Sequence, residues 1–282
     1  MDNRRLLRWL IDPAALMRDS GTPPDGYQCE VLRETPQPGF RGLLLSCRQA
    51  GKSTVLASLA LWWALFRPRY DCLILSPTQR QASEIIQKVR VLCQVLGVPL
   101  SADAATKVVV AGSGGRIIAL AAAGSIRGLT GGLILVDEGA FVPDATIQAG
   151  VLPMLSAVPG GGSFISATTP FGPRGWFHDW WASGSDRYRR WKVDWTRVPR
   201  ITQEYHDEYK ARVPRFVYAS ELLVEFAESG GGIYSPELID AIFAEREEFP
   251  FFTPKAPPAP WDQTDKGGAL VSAAPWASAL GE

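Results

Sequence analysis

At 282 residues, 46% hydrophobic and 21% charged, the chain has the length and apolar content for one large domain or two small ones. Lys and Arg balance Asp and Glu at 29 each, so no global field advertises nucleic acid, and any such contact must come from local patches. Four cysteines without metal-ligand spacing (Cys29, Cys47, Cys72, Cys93) read as buried thiols, and two histidines (His178, His206) speak against a histidine metal site.

Residues 1–20 are expected to form an N-terminal helix of mixed character carrying Arg4, Arg5 and Arg8. No apolar run reaches the length of a membrane span, so the expectation is a cytoplasmic protein, neither exported nor inserted. Leu43–Thr54, LLLSCRQAGKST, is an apolar strand running into a loop that ends Gly51-Lys52-Ser53. In a nucleotide-phosphate loop, backbone N–H groups close around phosphates, the lysine reaches the β and γ oxygens, and the serine hydroxyl binds Mg²⁺. The next helix then points its positive end at the anion. The general pattern has glycine where this chain has Ser46, and a bare GKS also occurs in ordinary turns. The flanking strand and the run Thr54–Phe66, read as an amphipathic helix, supply the strand-loop-helix context.

Asp71–Pro77 follows as a strand buried on both faces. Gln79–Leu96 is predicted as a helix with one buried stripe: Ala82, Ile85, Ile86, Val89, Leu92, Cys93 and Leu96. Lys107–Ala111 and Arg116–Ala121 flank Gly112-Ser113-Gly114-Gly115, a hairpin signal. Leu133–Val136 and Ser163–Ala167 are further buried strands. This alternation predicts an α/β fold with a mostly parallel sheet covered by helices, and ligands at the carboxyl ends of its strands.

LILVDE (133–138) delivers two carboxylates to such an end: Asp137 to hold Mg²⁺, and Glu138 to orient and deprotonate water. A solvated acidic turn is the plain alternative. The strand 71–77, intervening in sequence, suggests the ATPases in which an extra strand lies between the two phosphate-site strands and a glutamate is the base. SFISATTP (163–170) ends a third strand in hydroxyl residues. Ser166, Thr168 and Thr169 are candidates for sensing the γ-phosphate, against the alternative of an ordinary Thr-Pro exit turn.

In this order, Gln28 within DGYQCEVL, SCRQAGKST, QRQASE (79–84), IRGLTGGLILVDEGAFV (126–142), SATTPFGPRGWFHDWW (166–181) and FVYASELLVEFAESGGGIYSPELIDAI (216–242) resemble the large terminase subunit of tailed bacteriophages. Over about residues 20–245 the resemblance implies a P-loop NTPase of the additional-strand, catalytic-glutamate type that uses ATP and Mg²⁺. It implies an ATP-binding loop of Ser46, Cys47, Arg48, Gln49, Ala50, Gly51, Lys52, Ser53 and Thr54, with Ser46 no anomaly, since terminase loops often lack the first glycine. It further implies Gln28 as the adenine-reading glutamine, and Arg48 and Arg127 as arginines neutralising γ-phosphate charge, one in the same subunit and one offered to a neighbour. Either arginine could equally be a structural ion pair, and Gln28 a helix-surface residue. The implied partners are double-stranded DNA, a homo-oligomeric ring on a portal, and a small terminase subunit, in a bacterial host.

The DNA substrate rests on that resemblance alone. Arg187-Tyr188-Arg189-Arg190-Trp191-Lys192 alternates as a half-buried strand does, and Trp176, Trp180 and Trp181 read as packing residues. The expected organisation is an N-terminal helix (1–20), an ATPase domain (21–200), a helical linker (201–248) and a disordered Pro/Ala-rich tail (249–282). In that tail Asp262 and Asp265 are solvated charges and no nuclease site is recognisable. A nuclease on a separate polypeptide and a truncated gene fit this equally. A prophage remnant without motor activity and a helicase-type DNA-dependent ATPase are the alternative functions.

Overall fold

The computed structural model describes residues 2–122, 126 and 128–227, all within one compact unit, Met1–Gly230. The N-terminal stretch is two helices, α1 (Asn3–Ile11) and α2 (Pro13–Asp19). Asp12 ends the first, and its carboxylate accepts the Ala14 N–H to start the second, with Pro13 in the first turn. Then come α3 (Gly26–Glu34), β1 (Arg41–Ser46), α4 (Lys52–Phe66), β2 (Asp71–Ser76), α5 (Gln79–Leu96), β3 (Leu100–Ala104), β4 (Lys107–Val110), β5 (Arg116–Ala121) and β6 (Gly131–Asp137). A 3-10 turn (Gly139–Phe141) leads into α6 (Asp144–Thr146), a π turn (Ile147–Val151) and α7 (Leu152–Ser156). The remaining elements are β7 (Ser163–Thr168), α8 (Gly175–Ala182), β8 (Arg189–Val193), a 3-10 turn (Trp195–Arg197), α9 (Gln203–Arg212) and α10 (Arg215–Glu221). Arg127, the segment IYSPELIDAIF (233–243) and the tail with Asp262 and Asp265 lie outside the described residues.

Among the described residues the strands form an eight-stranded sheet ordered β3-β4-β5-β2-β6-β7-β1-β8. Pairing is parallel from β5 to β8, and the hairpin β4–β5 and edge strand β3 are antiparallel. β2, β6 and β7 are buried along their whole length, as their unbroken apolar runs require. An extra strand does separate β1 from β6, but it is β7 and not the strand 71–77, which lies on the far side of β6. Order in the chain says nothing of order in a sheet whose crossovers pass through helices.

α5 has the expected bounds and buries the seven residues of the predicted stripe. Thr78 and Gln81 form its capping box and Gly97 ends it in the left-handed region. α4 departs from expectation: it is not amphipathic but buried on nearly every side from Val55 to Ala64. It packs on β2, β5 and β6 with one side and on α1, α2, α3 and α5 with others. The Trp62 indole N–H, donated to the Trp9 carbonyl at 2.9 Å, ties it to α1. A helix apolar all round is a helix covered all round. Cys47, Cys72 and Cys93 are buried free thiols, and Cys29 is partly exposed.

Candidate nucleotide site

β1, β7 and β6 end side by side at the carboxyl edge, with Leu45 opposite Thr168 and Asp137 opposite Ala167. All three predicted motifs therefore emerge next to one another. The loop after β1 turns into α4 at Gly51, whose φ of +95° suits glycine, and a Cβ there would stand 2.7 Å from the Gln28 amide nitrogen. Gln49 also has positive φ, at 59°. Strained residues in a short loop point to over-determination by its surroundings, and these are visible. The Ala50 carbonyl accepts from the Tyr27 hydroxyl, the Gln28 carboxamide at 3.4 Å and the Arg200 guanidinium at 2.8 Å. Arg200 is itself held by Asp25 at 2.6 Å.

Gln28 is thus not a helix-surface residue: it is 1% exposed, and its other amide end accepts the Asp25 N–H. It braces the loop from behind and does not line the cavity. Tyr27 and Arg200 are structural supports of the loop that sequence reasoning missed. Arg200 lies 150 residues from the carbonyl it binds, and no local pattern signals that contact.

The cavity in front of the loop measures about 740 Å³, a volume suited to a nucleotide. Lys52, 7% exposed, places Nζ 3.5 Å from Glu138 Oε1. Glu138 itself sits in the left-handed region at φ 50°, ψ 50°, a conformation costly for a non-glycine residue. This turn throws its side chain from the end of β6 toward Lys52 and β7. There Oε2 accepts from the Thr169 N–H at 3.3 Å and lies 3.3 and 3.4 Å from the Thr168 and Thr169 hydroxyls. Thr168 Oγ1 is also 2.8 Å from the Thr169 carbonyl, so its one proton serves either acceptor in turn. These long bonds position Glu138 without locking it. Ser166 is instead under the floor: a Cβ on Gly139 would fall 2.0 Å from its hydroxyl oxygen, so only glycine fits there.

Asp137 is 6% exposed and its Oδ1 has no hydrogen-bond partner among the described residues. Burial, and next the charge of Glu138, push its pKa up to about 7, against the opposing pull of Lys52 and Lys88. A buried carboxylate oxygen without a partner fits a hard divalent cation that draws its remaining ligands from phosphate and water. Among the described residues no cluster of three or more His, Cys, Asp or Glu offers an all-protein metal cage.

Arg48 lines the cavity and pairs with Glu221 on α10 at 2.9 Å. Its backbone N–H donates to the Glu221 carbonyl, also at 2.9 Å, and the Tyr209 hydroxyl donates to the other carboxylate oxygen. The ion pair left open as the alternative for Arg48 is therefore present. The cation-aromatic run 187–192 is largely committed to the fold. Trp191 is buried, Tyr188 stacks on Trp180 with ring centroids 5.0 Å apart, and Arg189 pairs with Glu34 at 2.7 Å. Trp176 is buried and donates to the Val142 carbonyl at 3.1 Å.

The Thermus phage P74-26 large terminase ATPase domain is similar at 21% identity and TM-score 0.62, over 75% of this chain and 97% of that one. The large terminase of a thermophilic bacteriophage, in complex with ATP-γ-S, matches at 16% identity and TM-score 0.62, over 73% of this chain and 53% of that one. The HK97 bacteriophage large terminase matches at 16% and 0.60, over 79% and 55%. The chain thus spans about half the length of the whole large terminases, and at these identities the likeness establishes the fold. No curated protein matches the chain. The family model for the terminase large subunit, T4-like-virus type, N-terminal, matches residues 43–240. With most of its length under that model, on a terminase-like ATPase fold, the chain belongs to the large terminase subunit family.

Proposed function

We propose that this chain is an ATP-hydrolysing motor subunit that drives double-stranded viral DNA into a prohead. The observation that carries the reading is Glu138, held in a strained turn between Lys52 and the Thr168–Thr169 strand end at the mouth of a phosphate loop. The loop N–H groups and Lys52 bind the phosphates. Asp137 and Ser53 would hold Mg²⁺, which supplies neutralisation of phosphate charge. Glu138 accepts the proton of the attacking water as the bond from the γ-phosphorus to the ADP oxygen breaks. Thr168 and Thr169, which share that carboxylate, pass its change of position to β7 and the loop beyond.

The ring on a portal, the small subunit, the arginine offered by a neighbour through Arg127, and a cytoplasmic host setting are parts of the same proposal, supported by family membership. Among the described residues no helix is long and apolar enough to cross a membrane. DNA cleavage is not assigned to these residues.

The test is steady-state ATPase with and without DNA. Glu138→Gln is expected to lower turnover by about two orders of magnitude or more while retaining ATP binding. Lys52→Ala should weaken nucleotide binding itself. Wild-type protein without turnover at ring-forming concentrations would refute the motor reading, and unchanged affinity in Lys52→Ala would make Gly51–Ser53 a plain turn.

A further inference from the structure

One wall of the cavity is a face of α5. Gln81 and Lys88 both line it, and seven residues, or two turns, place them one above the other, with the capping residue Thr78 at the top. A lysine stem on a helix leans toward the helix N-terminus, here the carboxyl edge of the sheet where the phosphate loop lies. The cavity's other cations are engaged by carboxylates, Lys52 by Glu138 and Arg48 by Glu221. Lys88 has no carboxylate within ion-pair distance among the described residues, and Glu84, one turn before it, pairs with Arg80 instead. A lysine uncommitted among the described residues therefore lines the same cavity as Lys52 and Glu138.

We propose that Lys88 is a substrate-binding residue for the terminal phosphate of a nucleoside triphosphate, a second cation that approaches from α5 while Lys52 approaches from the loop. This rests on the ATP-hydrolysing reading and adds to it a means of telling ATP from ADP within one subunit. The loop amides and Lys52 grip phosphates that both nucleotides carry, whereas a cation on the α5 wall reaches only what projects across the cavity. With hydrolysis and phosphate release Lys88 loses its anion, and α5 is freed from the loop it was bridged to.

The experiment is displacement of a fluorescent ADP analogue by ATP-γ-S and by ADP, with Mg²⁺, on wild type, Lys88→Ala, Lys88→Arg and Lys52→Ala. Lys88→Ala is expected to weaken ATP-γ-S about tenfold, as one charge-assisted bond implies, and ADP by less than about threefold. Lys88→Arg should keep most of the difference, and matched thermal melts will show that a solvent-facing substitution leaves the fold intact. Equal weakening of both nucleotides, or no weakening of either, would overturn the assignment. If Lys52→Ala weakens both nucleotides and Lys88→Ala neither, Lys88 alone is misassigned. If Lys52→Ala weakens neither, the nucleotide site itself is wrong.

Discussion

Asp137→Asn should make the nucleotide-free protein more stable and the enzyme inactive. Below about pH 4 the carboxyl is protonated in the folded and the unfolded chain alike and contributes nothing to the difference. Its folded pKa is raised to about 7 from the ordinary 3.8. Between those values the unfolded chain has released the proton and the folded chain still holds it, so stability falls by about 1.4 kcal/mol per pH unit. The loss is complete once Asp137 ionises near pH 7, and over about three units it reaches about 4 kcal/mol. Asparagine does not titrate, and its buried amide group returns part of the gain by lacking partners, which leaves about 2 kcal/mol in favour of the variant at pH 7.5. Urea unfolding in EDTA at pH 5, 6 and 7.5 measures this, and the gap between variant and wild type should widen with pH. Mg²⁺ with ATP-γ-S should stabilise wild type and do far less for Asp137→Asn. Parallel pH profiles, or an asparagine variant less stable at pH 7.5, would refute the reasoning.

Two further tests concern the contact between Gly139 and Ser166 and the cleavage of DNA. Gly139→Ala forces a methyl against the Ser166 hydroxyl and should cost about 1–3 kcal/mol in urea unfolding. Ser166→Ala removes a buried hydroxyl that has no partner among the described residues, so alone it should be neutral or stabilising by up to about 1 kcal/mol. It should also recover much of the Gly139→Ala cost, and an unchanged cost in that background would show that the contact is elsewhere. Supercoiled plasmid incubated with the purified protein and Mn²⁺ should remain intact, whereas cleavage would place a nuclease in these residues after all.

Local pattern was a good guide wherever burial is one-sided or complete. The stripe of α5 and the apolar runs of β2, β6 and β7 announce themselves because 3.6-residue and unbroken periodicities are imposed by the faces they cover. β3 left no trace, since LSADA is an exposed edge strand with almost nothing to bury and is defined by its ladder with β4. α4 misled in the opposite sense. Its apolar residues invite an amphipathic reading until the N-terminal helices are seen to cover the face turned from the sheet.

The chain by itself placed the candidate groups at three strand ends: Lys52 and Ser53 in the loop after one apolar strand, Asp137 and Glu138 after a second, Thr168 and Thr169 after a third. Only the tertiary structure decided what those groups touch. It inserts β7 between β1 and β6, turns Gln28 into a brace behind the loop, and ties Arg48 to Glu221. It also faces Lys88 toward the cavity. The division has a physical cause: burial and turn chemistry are written in neighbouring residues, whereas strand order and ion-pair choice depend on free energies shared by residues over a hundred positions apart.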